Sequence, residues 1–335
     1  MKKTNTIGID VSKRTLDICF MSEEKKSHLK VKNDLLGFQE VLKRIKQLKF
    51  SKEVITVIEA TGGYQYGVVY FLLEKGFVNV KVINPTIAKS FSRMNNIREA
   101  KTDKIDAKLL AELGKIKELP SYTESKDDIK KKQIVTTLDG LKKSLREQKQ
   151  RRNHFKRQSE VIPCKEILES AAIVIKALEK EIDKLGKLLC SLTKEDNQIV
   201  SSISGISEKG AAVISTQLGD ISRFRNSKQV TAFAGLDPRT KESGTSVKGK
   251  GKISKKGNEL LRCALFQSAW YIYMQAVKGK GDKIFVDFVQ RLREKKLHYY
   301  QILCAVAHKL LGIIFALLKK REKFQENYYF NLRSV

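Results

Sequence analysis

Gly8-Ile9-Asp10-Val11-Ser12-Lys13 is the stretch whose reading decides the fold of this chain. It sits in an apolar alternating run that starts at Thr6 and has the pattern of a core strand. A carboxylate in the middle of such a strand is costly to bury unpaired, and a divalent cation is one way to make that burial tolerable. Three further acids, Glu59, Asp103 and Asp106, stand downstream, each beside a local signal of its own. With Asp10 they read as one metal-holding cluster.

Working outward, 6–11, 15–21 and 28–31 read as three strands with short connections, an antiparallel meander. Leu35, Phe38, Val41, Leu42, Ile45 and Leu48 form a helical stripe, with Asn33 or Asp34 as its cap. The β-branched run 53–58 is a strand ending at Glu59. A helix over 64–75 stops at Gly76, a strand over 78–83 is closed by Asn84-Pro85, and a helix spans 102–117. The order βββαβαβα implies a mixed five-stranded sheet covered by helices, an α/β domain with the element order of the ribonuclease H fold.

A polar, acidic stretch from Pro120 to about Ile129 reads as a boundary. Beyond it Ile134, Leu138, Leu141 and Leu145 step by four, three and four, as a coiled-coil seam does. After a break at Ile162-Pro163 the pattern resumes with Ile167, Ala171, Val174, Leu178, Ile182, Leu185 and Leu189, so two long helices form an antiparallel hairpin or pairing arm. The first carries Lys142, Lys143, Arg146, Lys149, Arg151, Arg152, Lys156 and Arg157 against Glu147, a basic face suited to phosphate contact. From Ser201, Ile203 to Ile214 reads as helix end, tight Gly turn and new helix, a helix-hairpin-helix-like unit whose amides can meet a phosphate. Between Arg239 and Arg262 stand Lys241, Lys248, Lys250, Lys252, Lys255 and Lys256, interleaved with Gly244, Gly249, Gly251 and Gly257, a basic loop able to order on a polyanion. Helices over 260–277, 284–293 and 300–319 complete a mostly α-helical C-terminal part, in which Phe266, Trp270, Tyr271 and Tyr273 are expected to fill a core. The resulting division is 1–125, 126–198 and 199–325.

Composition narrows the function. The 335 residues hold 66 Lys and Arg against 37 Asp and Glu, a net charge of +29. Such a chain is drawn to polyanions, nucleic acid first. Five scattered cysteines with no C-x-x-C pair, and only four histidines, argue against structural zinc and fit a reducing cytoplasm. The Lys2-Lys3 start is not followed by an apolar run long enough for a signal peptide, since Asp10, Lys13, Arg14 and Asp17 interrupt it. The longest apolar stretch, 302–318, is broken by His308 and Lys309 and reads as a buried helix, so no membrane partner is expected.

Phosphodiester chemistry needs a nucleophile in line and neutralisation of phosphate charge. Two divalent ions about 4 Å apart supply both when held by acids, and magnesium or manganese suits oxygen ligands. Asp103 and Asp106, three apart on a helix, share a side of it. Taken singly, Asp103 also reads as an N-cap with Asp106 as its capping-box partner, and Glu59 as a turn residue. From the residues alone, Ser243, Ser246 and Ser254 are equal candidates for a nucleophilic alcohol in the basic loop.

The motifs taken together are more specific. Gly8 to Lys13, Glu59-Ala60-Thr61-Gly62-Gly63-Tyr64, Asn84-Pro85 with Ala88-Lys89, and Lys101-Thr102-Asp103-Lys104-Ile105-Asp106-Ala107 resemble the N-terminal half of the IS110 insertion-sequence transposases, relatives of the Piv-type DNA invertases. Gly205-Ile206, Gly219-Asp220, Phe233-Ala234-Gly235-Leu236 with Pro238, Ser243-Gly244, and Ile253 to Asn258 with Leu261-Arg262 resemble that family's C-terminal half, in the same order.

The resemblance implies a RuvC-like DEDD domain, a coiled-coil arm and a C-terminal transposase domain. It implies that Asp10, Glu59, Asp103 and Asp106 bind magnesium. It further implies that a serine aligned at Ser243 attacks DNA to give a covalent 5′-phosphoserine intermediate. The family often has Ser-Ser-Gly-Gly there; this chain has Glu242-Ser243-Gly244-Thr245-Ser246, which keeps Ser246 in contention. A structured noncoding guide, the bridge RNA, pairing with donor and target DNA is implied as well, as are homodimers that join into a tetramer. The expected activity is RNA-guided DNA recombination in the bacterial cytoplasm, at the nucleoid. Its rivals are a Holliday-junction-type nuclease that uses water, and a non-catalytic nucleic-acid-binding protein.

Overall fold

The structure, a computed structural model, describes residues 5–23, 25–95, 103–238 and 252–325, with the backbone alone for Asn95 and Asp103. The chain divides into two units, 1–124 and 125–335.

In the first unit β1 (Thr6–Val11), β2 (Thr15–Met21) and β3 (Lys26–Lys32) form an antiparallel meander. Parallel strands β4 (Ile55–Glu59) and β5 (Val80–Ile83) extend it on the far side of β1, giving the order β3-β2-β1-β4-β5. The remaining elements are helices α1 (Leu35–Gln47), α2 (Tyr66–Glu74), α3 (Pro85–Asn95) and α4 (Asp103–Ile116). Both faces of the sheet are covered, which is why β1 reads as almost continuously apolar. Ile7, Ile9 and Val11 point into a core with Phe38, Val41 and Ile45 of α1 and Val68, Val69 and Leu72 of α2. Full burial of each such aliphatic side chain stabilises the fold by about 1.5–3 kcal/mol. The opposite face, carrying Gly8 and Val57, lies under Ala107, Leu110, Ala111 and Leu113 of α4.

α1 starts where Asp34 accepts a hydrogen bond from the Gly37 amide at 2.9 Å, so Asp34 is the cap of the two candidates. α3 is an addition to the expected order. Asn84-Pro85 closes β5, as its residues imply, and Pro85 also opens a helix, where its missing N–H costs nothing, while the Asn84 side chain accepts from the Thr86 amide at 2.8 Å.

The second unit begins with a helical hairpin, α5 (Lys126–Gln158) and α6 (Lys165–Leu192), closed near Pro163. Ser125 and Asp128 form a capping box at its start. Ile134, Val135 and Leu138 pack with Ile182, Leu185 and Leu189 across the seam, and Lys149 meets Glu179 at 2.7 Å. Then follow α7 (Lys194–Val200), α8 (Glu208–Leu218), a 3-10 turn at Ile221–Arg223, α9 (Ser227–Ala234), α10 (Glu259–Val277), α11 (Lys283–Glu294) and α12 (Tyr299–Lys320). α12 is the one helix among the described residues long and apolar enough to cross a membrane. Its Val306, Leu310, Ile314 and Leu317 are nevertheless central to the core shared by α7 through α12.

One expectation fails here. Phe266 and Tyr273 pack against that core, but Trp270 and Tyr271 are 50% and 48% exposed. α10 is apolar around its whole circumference, so periodicity could not tell its buried face from its outer one.

Candidate active site

Strand register places the first two acids. Ile9 lies opposite Ile58 in the parallel pair β1–β4, so the next residues, Asp10 and Glu59, stand level on neighbouring strands, about 4.8 Å apart in the hydrogen-bonding direction. Both are half-buried, on the α4 face. Gly8 makes room for the helix. A Cβ there would stand 2.1 Å from the Ala107 carbonyl oxygen and 2.4 Å from the Ala111 amide.

Seven residues further along α4, a Cβ on Gly114 would meet Val57, Ile55 and Thr6 side chains. α4 therefore runs against β1, from above its C-terminal end to above its start. Four helical residues advance about 6 Å and two strand residues about 6.6 Å. One such step forward from Gly8 along β1 reaches Asp10, and one back from Ala107 along α4 reaches Asp103. Asp106, half-buried, lies one turn before Leu110, which packs on Val57 and Ile83 of β4 and β5. The first turn of α4 thus lies at the height of Asp10 and Glu59.

The sheet adds a fifth acid that the sequence reading missed. Asp10 faces Asp17 directly across β1–β2, and Asp17 faces Lys30 across β2–β3. Asp17 accepts an ion pair from Lys30 Nζ at 3.0 Å. Like charges directly opposite each other destabilise a sheet, and the Lys30 ammonium beside Asp17 lowers the cost of setting Asp17 opposite Asp10. The tight turn at Ser12 to Thr15 already sets this register, and counting back from it would have found Asp17. On the same face, burial and then the Lys104 and Lys108 charges lower the His28 pKa, with Asp17 opposing.

The loops after the two strand acids are tied to each other. Asn33 Nδ2 donates to the Ser12 carbonyl at 2.9 Å and to the Tyr64 carbonyl at 3.1 Å. Buried Gln65 accepts through Oε1 from the Thr61 and Gly63 amides, both at 3.1 Å, and so shapes the Gly62-Gly63 turn that follows Glu59. Both glycines have positive φ, 57° and 97°. Neither Asn33 nor Gln65 was singled out from the sequence, where Asn33 competed only as a helix cap.

Carboxylate oxygens in one row are the donor set that magnesium or manganese takes. Among the described residues no group of three His, Cys, Asp or Glu side chains is arranged to hold a metal ion, and the Asp103 side chain falls outside them.

In the second unit, Ser243 and Ser246, with Lys248 and Lys250, lie outside the described residues. The flanks of that loop are closely built. Pro238 pairs with Ile253, and buried Ser254 donates through Oγ to Asp237 at 2.5 Å. Lys255 donates its amide to the Gly235 carbonyl, and Arg262 donates to the Ala234 carbonyl. A Cβ on Gly257 would lie 2.4 Å from the Gly235 nitrogen, so only glycine fits this crossing. Ser254 is thereby a structural hydroxyl and leaves the list of nucleophile candidates. Lys252, Lys255 and Lys256 are exposed just beyond the loop. On α5, Lys142, Arg146 and Arg152 are exposed, whereas Lys143 pairs with Asp139 at 2.8 Å and Lys149 with Glu179. The basic face is thus more neutralised than Glu147 alone would make it, because Glu179 comes from the partner helix.

A transposase family model matches residues 7–156, and the model described as the transposase IS116/IS110/IS902 family matches residues 197–281. The chain is 29% identical to the pilin gene-inverting protein of Moraxella bovis, over 97% of this chain and 99% of that protein. It is 26% identical to the transposase for insertion sequence element IS1111A of Coxiella burnetii, over 97% of this chain and 92% of that protein.

Proposed function

We propose, from the premise that the chain carries two transposase domains of the IS110 type and is similar along its length to DNA-recombining enzymes, a mechanism in which four acids and one serine divide the work. Asp10, Glu59, Asp103 and Asp106 hold magnesium, and the Ser243 hydroxyl attacks the DNA phosphate. The observation that carries this reading is the level placement of Asp10 and Glu59 on adjacent strands beneath the first turn of α4.

When bound, magnesium would screen the phosphate charge and favour attack by an oxygen nucleophile. The acids would orient it, and Asn33 and Gln65 hold the loops that follow Asp10 and Glu59. Ser243 Oγ forms a bond to phosphorus as the bond from phosphorus to the 3′ oxygen breaks, and the serine proton ends on the departing 3′ hydroxyl. The 3′ hydroxyl of another strand then attacks the phosphoserine and regenerates Ser243, so strands are exchanged without loss of phosphodiester energy. The exposed cations of α5 and Lys252, Lys255 and Lys256 contact phosphates. A structured guide RNA selects donor and target, and homodimers joined as a tetramer bring the two sites together, in the cytoplasm at the nucleoid.

The test is a suicide DNA substrate with wild-type, Asp10→Asn and Ser243→Ala proteins. Wild type should form a protein–DNA adduct, Ser243→Ala should form none, and both variants should lose recombination while retaining RNA binding. Magnesium should raise the Tm of wild type and not of Asp10→Asn. Cleavage without adduct would replace the serine with water, as in a junction nuclease. Normal recombination by Ser243→Ala would remove that residue from its role.

A further inference from the structure

The outer face of α10 has no role in the chemistry above, yet it is unusual. Leu261, Leu265, Ala269 and Ile272 are buried in the core. Cys263, Gln267, Trp270, Tyr271, Met274 and Val277 recur at helical spacing on the other side, all exposed. An apolar and aromatic stripe of this kind on a soluble face marks a binding surface.

The stripe is not flat. Trp270 and Tyr271 form one wall of a cavity of about 770 Å³ whose other wall is the turn Gly205 to Ser207 with Gly210. Gly205 makes this contact possible: its φ is 98°, and a Cβ there would stand 2.6 Å from Ile272 Cγ1 and 3.3 Å from Tyr271 Cδ1. Ser207 caps α8 by accepting from the Gly210 amide at 3.1 Å. Exposed Glu208 in the first turn of α8 opposes a phosphate there, so the recognition falls to the aromatic rings.

Exposed cations stand at one end of the stripe. Lys278 and Lys280 are exposed just past its end. A polyanion is drawn to a chain with net charge +29. Exposed aromatic rings within a basic surface are what unpaired bases stack on, and every base presents a π-face.

We infer that the cavity between Trp270, Tyr271 and the Gly205–Gly210 turn takes an unpaired nucleobase of the bound nucleic acid, stacked on the indole of Trp270. The inference rests on nucleic acid being the substrate, and on neither the serine nor the metal. The base comes either from a DNA strand opened during exchange or from an unpaired segment of RNA.

Trp270 is the sole tryptophan of the chain, so its emission reports this site alone. Full-length protein is titrated with fluorescein-labelled single-stranded dT, single-stranded rU and a DNA duplex, following label anisotropy and, with unlabelled strands, tryptophan emission. Quenching by a single strand, and not by duplex, is expected, with the stronger of the dT and rU responses naming the source. Trp270→Ala should weaken binding of that strand about 5- to 150-fold, matching roughly 1–3 kcal/mol per stacked base, and Trp270→Phe should restore most of it. Far-UV circular dichroism should be unchanged, since the indole is half exposed. Unchanged emission while anisotropy reports bound single strand would overturn the inference. So would an emission change that follows protein concentration alone, because the face would then join copies of the chain. Loss of the DNA adduct in the preceding test with quenching intact would refute the serine mechanism and leave this site standing.

Discussion

Replacing Gly8 by alanine tests the whole arrangement with one methyl group. The added Cβ would stand 2.1 Å from the Ala107 carbonyl, and ordinary contact begins near 3.4 Å, so the backbone of α4 has to retreat by about 1.3 Å. Neither obstacle is the end of a flexible side chain. Overpacking of this kind costs about 1–3 kcal/mol, which the unit should survive. The retreat also lifts the turn bearing Asp103 and Asp106 away from Asp10 and Glu59. A misplacement near 1 Å in a reacting centre costs on the order of 100-fold in rate. The expected result is a protein that folds, with a urea midpoint lowered by an amount matching those kcal/mol, and recombination down about 100-fold although every acid is present. Gly114→Ala is the control: its nearest obstacle is the Val57 Cγ2 methyl at 2.9 Å, at the far end of the helix. It should cost some stability and much less activity. Wild-type recombination and midpoint for Gly8→Ala would show that α4 does not seat on this strand, and the carboxylate row would lose its fourth side.

Asn33→Ala removes both bonds between the loops after Asp10 and Glu59. Its stability cost should stay near 1–2 kcal/mol, while recombination falls more than an equally destabilising substitution in α1 produces; equal losses would make Asn33 merely structural. Asp237→Ala leaves the buried Ser254 hydroxyl without its acceptor and should lower stability by about 1–3 kcal/mol; an unshifted denaturation midpoint would refute the role given to that pair.

Much of this was readable in advance where pattern and environment agree. The alternation of 6–11 and the run ending at Glu59 each match the element that buries them, and Ile134 and Leu138 are buried on α5. What escaped depends on long-range partners. Asp17 acquires meaning only through the register that sets it opposite Asp10. Lys149 looked free until α6 brought Glu179 to it. α9 is short, and its cap, Asn226 accepting from the Gln229 amide, has no apolar run to announce it. The outward turn of Trp270 was hidden because both sides of its helix are apolar.

The crossing of Gly235 and Gly257, fastened by Asp237 and Ser254, works as a staple through the framework. The framework itself thus holds the flanks at Pro238 and Ile253, and any side chain at Gly257 would unfasten them.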